Sequence, residues 1–279
     1  MLRRLSTNVV DVFAGGTYRR LLGDPARPTL LTVEQTAPDA LTVGLQGPEA
    51  KRLDPAALVE RMLGARRDLD AFYAGAARFA WLDRIARGAR GVKPPRYPSL
   101  WETVCNAVVY QQVSIHAAAA ILRRTIERYA VAVELDDARI FPFPVPRTLL
   151  DADPQELRDV GLSVNKILAL KAVARALEAG ELDERALEPL STPALVETLV
   201  AHKGIGPWTA AVIALRGFGR LDVFPMNDSG VAKSLRTLTG EADVQPEPVL
   251  AALAPQQGML YYHLLLGRLH ATGEVQLSE

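Results

Sequence analysis

The chain has 279 residues, of which 49% are hydrophobic, and its formal net charge at pH 7 is zero. This length and composition suffice for a buried core and for two domains, and no apolar run is long enough to span a membrane. The single cysteine, Cys105, excludes an internal disulfide and any metal or iron–sulfur site built from several thiolates. Asn8 and Asp11 interrupt the apolar stretch that a secretory signal requires, so we expect a protein of the reducing cytoplasm. The zero net charge counts mildly against a nucleic-acid partner.

The first third of the sequence is typical of a mixed α/β domain. Residues 28–36 and 40–48 are rich in β-forming side chains and are separated by Ala-Pro-Asp, which predicts a hairpin. Helical patterns follow near residues 55–64 and 68–86.

A Gly- and Pro-rich segment, "GVKPPRYPSL", marks a predicted boundary between two domains. We therefore predict a small α+β domain over residues 1–94 and a helical region over residues 95–279. Residues 84–96 carry five basic side chains and no acidic one. This strip is either a solvated linker or a surface that faces phosphates.

The helical region contains several start and stop signals. The sequence predicts two helices between residues 99 and 130, separated by a "QQVS" turn, with the second beginning around Ser114. Asp153, a proline and then a glutamate at the third helical position predict the start of another helix, which Gly161 ends. Thr192 and the proline after it repeat the same kind of start.

A tight helical hairpin is predicted around the sequence "AHKGIGPWTAAVIAL". Gly204 and Gly206 allow backbone angles that other residues avoid and let another backbone approach closely. Pro207 fits the first position of the second helix, where its missing N–H costs nothing. Backbone N–H groups at that helix start form a natural phosphate site, although such a hairpin also serves simply to join two packed helices.

Four motifs, in order, resemble those of one family of enzymes. They are "VVYQQVSIHAAA" (108–119), "VGLSVNKILALKAVA" (160–174), the hairpin "LVAHKGIGPWTAAVIALR" (199–216), and a loop over residues 217–230 that leads to "NDSG". The hairpin follows the pattern L-x-x-x-x-G-h-G-x-x-T-A of the helix-hairpin-helix (HhH-GPD) DNA glycosylases, and the chain resembles their 3-methyladenine DNA glycosylase II (AlkA-type) branch. The resemblance implies a mostly α fold, with a small N-terminal α+β (TBP-like) domain followed by an all-helical glycosylase region.

The resemblance places Asp228 at the catalytic position. One carboxylate beneath the sugar stabilises the cation that develops when an N-glycosidic bond breaks, and it can also orient or deprotonate water. "NDSG" before an apolar helix equally predicts that Asp228 is a helix N-cap. Asp222 and Asn227 are nearby competitors, and Asp222 is expected to be structural.

Trp208 occupies the position at which strand-cleaving relatives carry a nucleophilic lysine, so the resemblance implies a monofunctional hydrolase that leaves an abasic site. An aromatic face selects a cationic alkylated base by stacking and cation–π attraction, and Trp208 is our candidate for that face. Its alternative role is a core tryptophan that packs the hairpin.

The remaining site residues follow from the same resemblance. The predicted base pocket comprises Trp208, Val212, Phe224, Tyr110 and Gly267. Tyr261 and Tyr262 line either the pocket or the core. Gln112 is the predicted wedge that fills the gap left by the flipped base, and Gly204, Ile205, Gly206 and Thr209 are predicted to contact the DNA backbone.

We expect no cofactor and no catalytic metal, because the four histidines have no metal-ligand spacing. A monovalent cation held by hairpin carbonyls is compatible with the resemblance. The expected partner is double-stranded DNA that contains damaged bases, bound by a monomer. Two alternatives remain open, namely a non-catalytic DNA-binding module and a glycosylase for deaminated or oxidised bases.

Overall fold

A computed structural model describes residues 8–135, 138–241 and 244–277 of the chain. The strands in the described residues are β1 (Val12–Ala14), β2 (Thr17–Leu22), β3 (Thr29–Ala37), β4 (Ala40–Gln46), β5 (Val133–Leu135) and β6 (Ala138–Ile140). The helices are α1 (Pro55–Leu63), α2 (Asp70–Ala76), α3 (Ala80–Gly88), α4 (Leu100–Tyr110), α5 (Ile115–Tyr129), α6 (Pro146–Asp151), α7 (Pro154–Asp159), α8 (Val164–Glu178), α9 (Glu184–Leu187), α10 (Thr192–Val200), α11 (Pro207–Gly217), α12 (Ser229–Thr239), α13 (Glu247–Leu253) and α14 (Gly258–Ala271). Among these helices, none combines the length and the apolar character needed to cross a membrane.

The predicted hairpin is confirmed and forms part of a larger sheet. Strands β3 and β4 pair antiparallel, and β1 and β2, which the sequence did not reveal, complete an antiparallel sheet in the order β1-β2-β3-β4. The expectation of an entirely helical second region was wrong in one place, because β5 and β6 form a two-stranded sheet there.

The helix predicted over residues 68–86 consists of two helices, α2 and α3. The break lies at Phe79, whose extended backbone angles (φ −128°, ψ 107°) end the helical path before Ala80 starts the next helix. Ser114 and Asp153 cap α5 and α7 as predicted, since each side chain accepts a backbone N–H of the first helical turn. Gly161 follows α7 with a left-handed φ of 106°, which agrees with the predicted stop.

The chain divides into two compact units that are each discontinuous in sequence. The first comprises Met1–Arg61, Pro98–Arg185 and His202–Gly204, and the second comprises Met62–Tyr97, Ala186–Ala201 and Ile205–Glu279. The predicted domain boundary between residues 94 and 95 stays a prediction. It concerns domains that fold independently, and a division into compact units does not test independent folding.

A buried ion pair joins the sheet to helix α4 within the first unit. Arg20 on β2 is 1% exposed; its Nη1 lies 2.5 Å from Asp11 Oδ1, and its Nη2 donates to Glu102 Oε2 on α4. The Tyr18 hydroxyl donates a further hydrogen bond to Asp11. A buried guanidinium tolerates desolvation only when carboxylates face it, so these partners hold β2 and α4 in one arrangement.

Replacing Arg20 with methionine should destabilise the protein strongly, because two buried carboxylates would lose their common counter-ion. Removal of one member of a buried ion pair costs about 3–5 kcal/mol of unfolding free energy. Urea denaturation of Arg20→Met measures this loss, and Arg27→Met, at an exposed position, is the matched control. Equal unfolding free energies for the two variants would contradict the assigned role of Arg20.

His263 lies in the core of the second unit, on α14. Its side chain is fully buried and stacks on Phe72 with ring centroids 4.4 Å apart. Its Nδ1 lies 2.9 Å from the Met259 carbonyl oxygen, which accepts the Nδ1–H. Burial lowers the pKa of His263 to about 4, because the apolar surroundings disfavour the charged ring.

This burial predicts a loss of stability in mild acid. Below its ordinary pKa of about 6.5 the histidine binds a proton in the unfolded chain but not in the folded one. The unfolding free energy should therefore fall as the pH decreases from 6.5 towards 4, by about 2 kcal/mol at pH 5 relative to pH 7. Chemical denaturation of wild type and His263→Leu at both pH values measures the difference. An equal acid-dependent loss in the two proteins would contradict the prediction.

Candidate active site

The predicted hairpin is formed by α10 and α11, with one of its capping residues shifted. Ser191, not Thr192, caps α10, since its hydroxyl accepts the Ala194 N–H at 3.5 Å. Thr192 is the first helical residue and donates its hydroxyl to Asp222 at 2.9 Å. Pro207 opens α11 as predicted.

The two hairpin glycines have different roles. Gly204 has a φ of 90°, and a Cβ atom there would lie 2.2 Å from the Ala169 Cβ, so both conformation and space require glycine. Gly206 has an extended conformation (φ −86°, ψ 174°) that any residue adopts, so the expectation of special angles at Gly206 was wrong. A Cβ atom at Gly206 would meet nothing within 4 Å, which leaves open space before α11.

The other two predicted backbone contacts have buried side chains. Ile205 is 3% exposed and Thr209 is 2% exposed. These exposures give no support to a phosphate contact through the Thr209 hydroxyl. The prediction that this segment contacts a DNA phosphate therefore depends on backbone N–H groups at the start of α11, which have no partner within the helix.

Asp228 is the N-cap of α12 and also the centre of a side-chain cluster. Its Oδ1 accepts the backbone N–H groups of Gly230 at 2.7 Å and Val231 at 3.1 Å, which confirms the capping interpretation. Its Oδ2 accepts the indole N–H of Trp208 at 2.9 Å and the hydroxyl of Tyr261 at 3.1 Å. These four donors occupy about as many lone-pair sites as a carboxylate offers, so its orientation is fixed from several directions.

Tyr261 is a member of this cluster that sequence reasoning had placed only as a candidate lining residue. Burial, and next the negative charge of Asp228, raise the pKa of Tyr261, so the phenol keeps its proton and stays a donor. Tyr261 lies 33 positions from Asp228 in the sequence. No local motif connects two residues so far apart, which is why the contact was not predicted.

Aromatic side chains border the same carboxylate. Trp208 is half-buried, and Phe224 packs edge-on against Tyr261 with ring centroids 6.3 Å apart. Val212 is buried on α11, one turn after Trp208. The second unit thus brings together an acidic group, an indole edge and two further aromatic rings.

Gly267 has a packing environment. A Cβ atom at this position of α14 would lie 2.9 Å from Ile85 and 3.0 Å from Leu238, so glycine lets α14 approach α3 and α12 closely. The predicted pocket role of Gly267 thus has no support in this geometry.

Two predicted site residues belong to the first unit. Tyr110 is the last residue of α4 and is half-buried. Gln112 lies in the turn between α4 and α5, is exposed and has a left-handed φ of 55°. Such a conformation is uncommon for a residue other than glycine and marks a constrained position.

Asp222, the alternative to Asp228 as the catalytic carboxylate, makes hydrogen bonds within its own unit. The Asp222 carboxylate accepts the Thr192 hydroxyl, and the Asp222 backbone carbonyl accepts the Gln257 side-chain amide at 2.7 Å.

Four of the five basic side chains of residues 84–96 contact neighbours in their own unit. These contacts join Arg87 to Asp83, Arg90 to the Tyr73 ring, Lys93 to the Arg67 carbonyl, and Arg96 to Glu188 and the Gly217 carbonyl. These four side chains thus have partners within the second unit. Among the described residues there is no cluster of three or more His, Cys, Asp or Glu side chains that could hold a metal ion.

Comparison with known proteins identifies a family and a fold. Residues 105–255 match the family described as HhH-GPD superfamily base excision DNA repair protein. A DNA-3-methyladenine glycosylase of Bacillus subtilis is 28% identical over 171 residues, which cover 61% of this chain and 56% of that protein. The chain spans about half the length of the curated relatives it matches.

Two solved structures share the fold. A 3-methyladenine DNA glycosylase of Archaeoglobus fulgidus superposes with a TM-score of 0.75 at 22% identity, covering 92% of this chain and 89% of that one. A 3-methyladenine DNA glycosylase of Schizosaccharomyces pombe, in complex with abasic DNA, gives a TM-score of 0.59 at 24% identity, covering 74% and 98%.

Proposed function

The chain belongs to the HhH-GPD superfamily of base excision DNA repair proteins, and on that basis we propose that it is a monofunctional DNA glycosylase for alkylated purines. It hydrolyses the N-glycosidic bond of a flipped-out base of the 3-methyladenine or 7-methylguanine class and leaves an abasic site. The observation that carries the proposal is the Asp228 carboxylate, oriented by four hydrogen bonds beside the Trp208 indole.

The names of the relatives support this substrate class. The Bacillus subtilis and Escherichia coli relatives are DNA-3-methyladenine glycosylases, and the Schizosaccharomyces pombe neighbour was solved with abasic DNA. We infer the same class of activity, and double-stranded DNA as the partner, for a monomer of this chain.

The proposed chemistry is a heterolytic bond cleavage. The bond between C1′ and the base nitrogen breaks, and its electron pair leaves with the base. An alkylated purine is cationic and departs as a neutral molecule, so it needs little acid assistance. Asp228 stabilises the positive charge on the sugar by its own negative charge. Water then adds to C1′ and releases its proton to the solvent.

Base selection is assigned to the aromatic residues around Asp228. A cationic base over the face of Trp208 gains about 0.5–2 kcal/mol from cation–π attraction, and the hydrogen bond to Asp228 fixes the indole plane for this purpose. Val212 and Phe224 complete the pocket wall in our proposal, whereas the pocket role of Tyr110 stays a prediction from the family resemblance. The aliphatic Val212 leaves a pocket with fewer aromatic contacts, which favours a broad range of lesions.

DNA binding is assigned to the hairpin and to the turn after α4. The backbone N–H groups of Gly204, Ile205, Gly206 and Thr209 bind a phosphate, with Gly206 leaving room for its approach. Gln112 fills the gap left by the flipped base, and its exposure supports this role. We further propose that the β1–β4 sheet is the TBP-like domain of the family and that no redox cofactor takes part. A monovalent cation bound by the hairpin carbonyls would assist phosphate binding.

The absence of a lysine at position 208 implies that the strand stays intact. A lysine amine would attack C1′ and form a Schiff base that leads to strand cleavage. The indole N–H of Trp208 has no nucleophilic lone pair, so water is the nucleophile in our proposal.

Single-turnover release of base from duplex DNA that contains 3-methyladenine or 7-methylguanine tests the proposal. Wild type should release the base, and Asp228→Asn should do so at least about 100-fold more slowly, because the charge that stabilises the cation is gone. Asparagine keeps an oxygen that can cap α12, so thermal denaturation should show a folded variant.

The outcomes separate the alternatives. Equal release by wild type and Asp228→Asn would remove Asp228 from the mechanism. Tight DNA binding without release of either base would favour a non-catalytic module or another lesion. Strand cleavage before alkali treatment would contradict the monofunctional assignment.

A further inference from the structure

The turn between α4 and α5 carries Gln112 in a left-handed conformation. Its left-handed φ of 55° is uncommon for a residue with a Cβ atom. Gln112 lies two residues after Tyr110, the last residue of α4, and two residues before Ser114. The Ser114 hydroxyl caps α5 by accepting the Ala117 N–H at 3.2 Å. The α5 side of the turn is therefore fixed by a local cap.

The α4 side is fixed by a side chain from a distant part of the sequence. The Lys166 ammonium, on α8, donates to the Val109 carbonyl oxygen at 2.8 Å. Val109 lies in the last turn of α4, where helix carbonyls have no partner within the helix and where a positive charge is favoured by the helix dipole. Partial burial of the ammonium lowers the pKa of Lys166, the consequence of bringing it against the helix end.

Contacts with α5 hold the segment that leads into α8, so the backbone that carries Lys166 is held in place. A Cβ atom on Gly161 would lie 3.1 Å from the Ile121 side chain on α5, and Arg124 of α5 donates to the Val160 carbonyl at 2.9 Å. Ser163 caps α8 by accepting the Lys166 N–H at 3.4 Å. The segment from Gly161 to Lys166 thus connects α5, α8 and α4 on both sides of the turn.

We propose that Lys166 is a positioning residue that holds the Gln112 turn in the conformation needed to open a base pair. It acts through the last turn of α4, touches neither the damaged base nor the sugar, and matters most when a stacked, paired base must be extracted. The inference rests on the proposed glycosylase function and on Gln112 as the wedge.

Lys171, on the same helix, provides a matched control. Its ammonium donates to the carbonyl oxygens of Leu150 at 2.8 Å and Ala152 at 2.6 Å, at the end of α6. Lys171 therefore makes the same kind of contact with a helix end that bears no predicted site residue. Removing either lysine should lower stability similarly, whereas only Lys166 should affect the wedge.

The experiment compares Lys166→Met, Lys171→Met, Gln112→Ala and wild type on two duplexes. In one the 7-methylguanine is paired with cytosine, and in the other it lies opposite a mismatched adenine, where less energy is needed to flip the base. Lys166→Met should slow single-turnover release from the paired duplex by about tenfold and from the mismatched duplex by less than about threefold, as Gln112→Ala should. Lys171→Met should stay within about threefold of wild type on both.

Two further variants of Lys166 test for rescue of the rate and provide a substitute if Lys166→Met does not fold. Lys166→Arg, which keeps a cationic donor, should restore most of the rate on the paired duplex. If Lys166→Met does not fold, Lys166→Gln, uncharged and one bond shorter, replaces it with the same expected direction.

A Lys166 variant that loses rate equally on both duplexes, or no more than Lys171→Met, would overturn the positioning role while leaving the glycosylase function intact. Wild type that releases base from neither duplex would instead overturn the proposed function.

Discussion

The candidate site depends on one constraint, the fixed orientation of the Asp228 carboxylate. Two backbone N–H groups at the start of α12 hold Oδ1, and the side chains of Trp208 and Tyr261 hold Oδ2. The helix start also places partial positive charge beside the carboxylate. A negative group held in advance at one place stabilises a developing cation without reorganisation during the reaction. With its acceptor sites occupied by these donors, Asp228 is better suited to act by charge than as a proton acceptor.

Helix α4 has a comparable role in the first unit. Near its start, Glu102 contacts the buried Arg20 of the sheet, and near its end Lys166 donates to the Val109 carbonyl. The sheet therefore fixes the helix whose last turn leads into the exposed Gln112.

Local signals were predictable from the sequence, whereas long-range contacts were not. The caps at Ser114 and Asp153, Pro207 at the start of α11 and the capping role of Asp228 follow from interactions between residues a few positions apart. The Ser191 cap was missed because two adjacent hydroxyl residues both fit the motif, and only the backbone angles decide between them. The bond from Tyr261 to Asp228 and that from Arg20 to Glu102 span 33 and 82 positions, so packing alone determines them.

The most direct test of the central claim measures the charge effect of Asp228 without catalysis. Wild type and Asp228→Asn are titrated with duplex DNA that carries either a protonated pyrrolidine, which mimics the cationic sugar, or a neutral tetrahydrofuran at the same position. Wild type should prefer the cationic analogue by at least about tenfold, and Asp228→Asn should bind both about equally. An equal preference for the cation in both proteins would contradict the account.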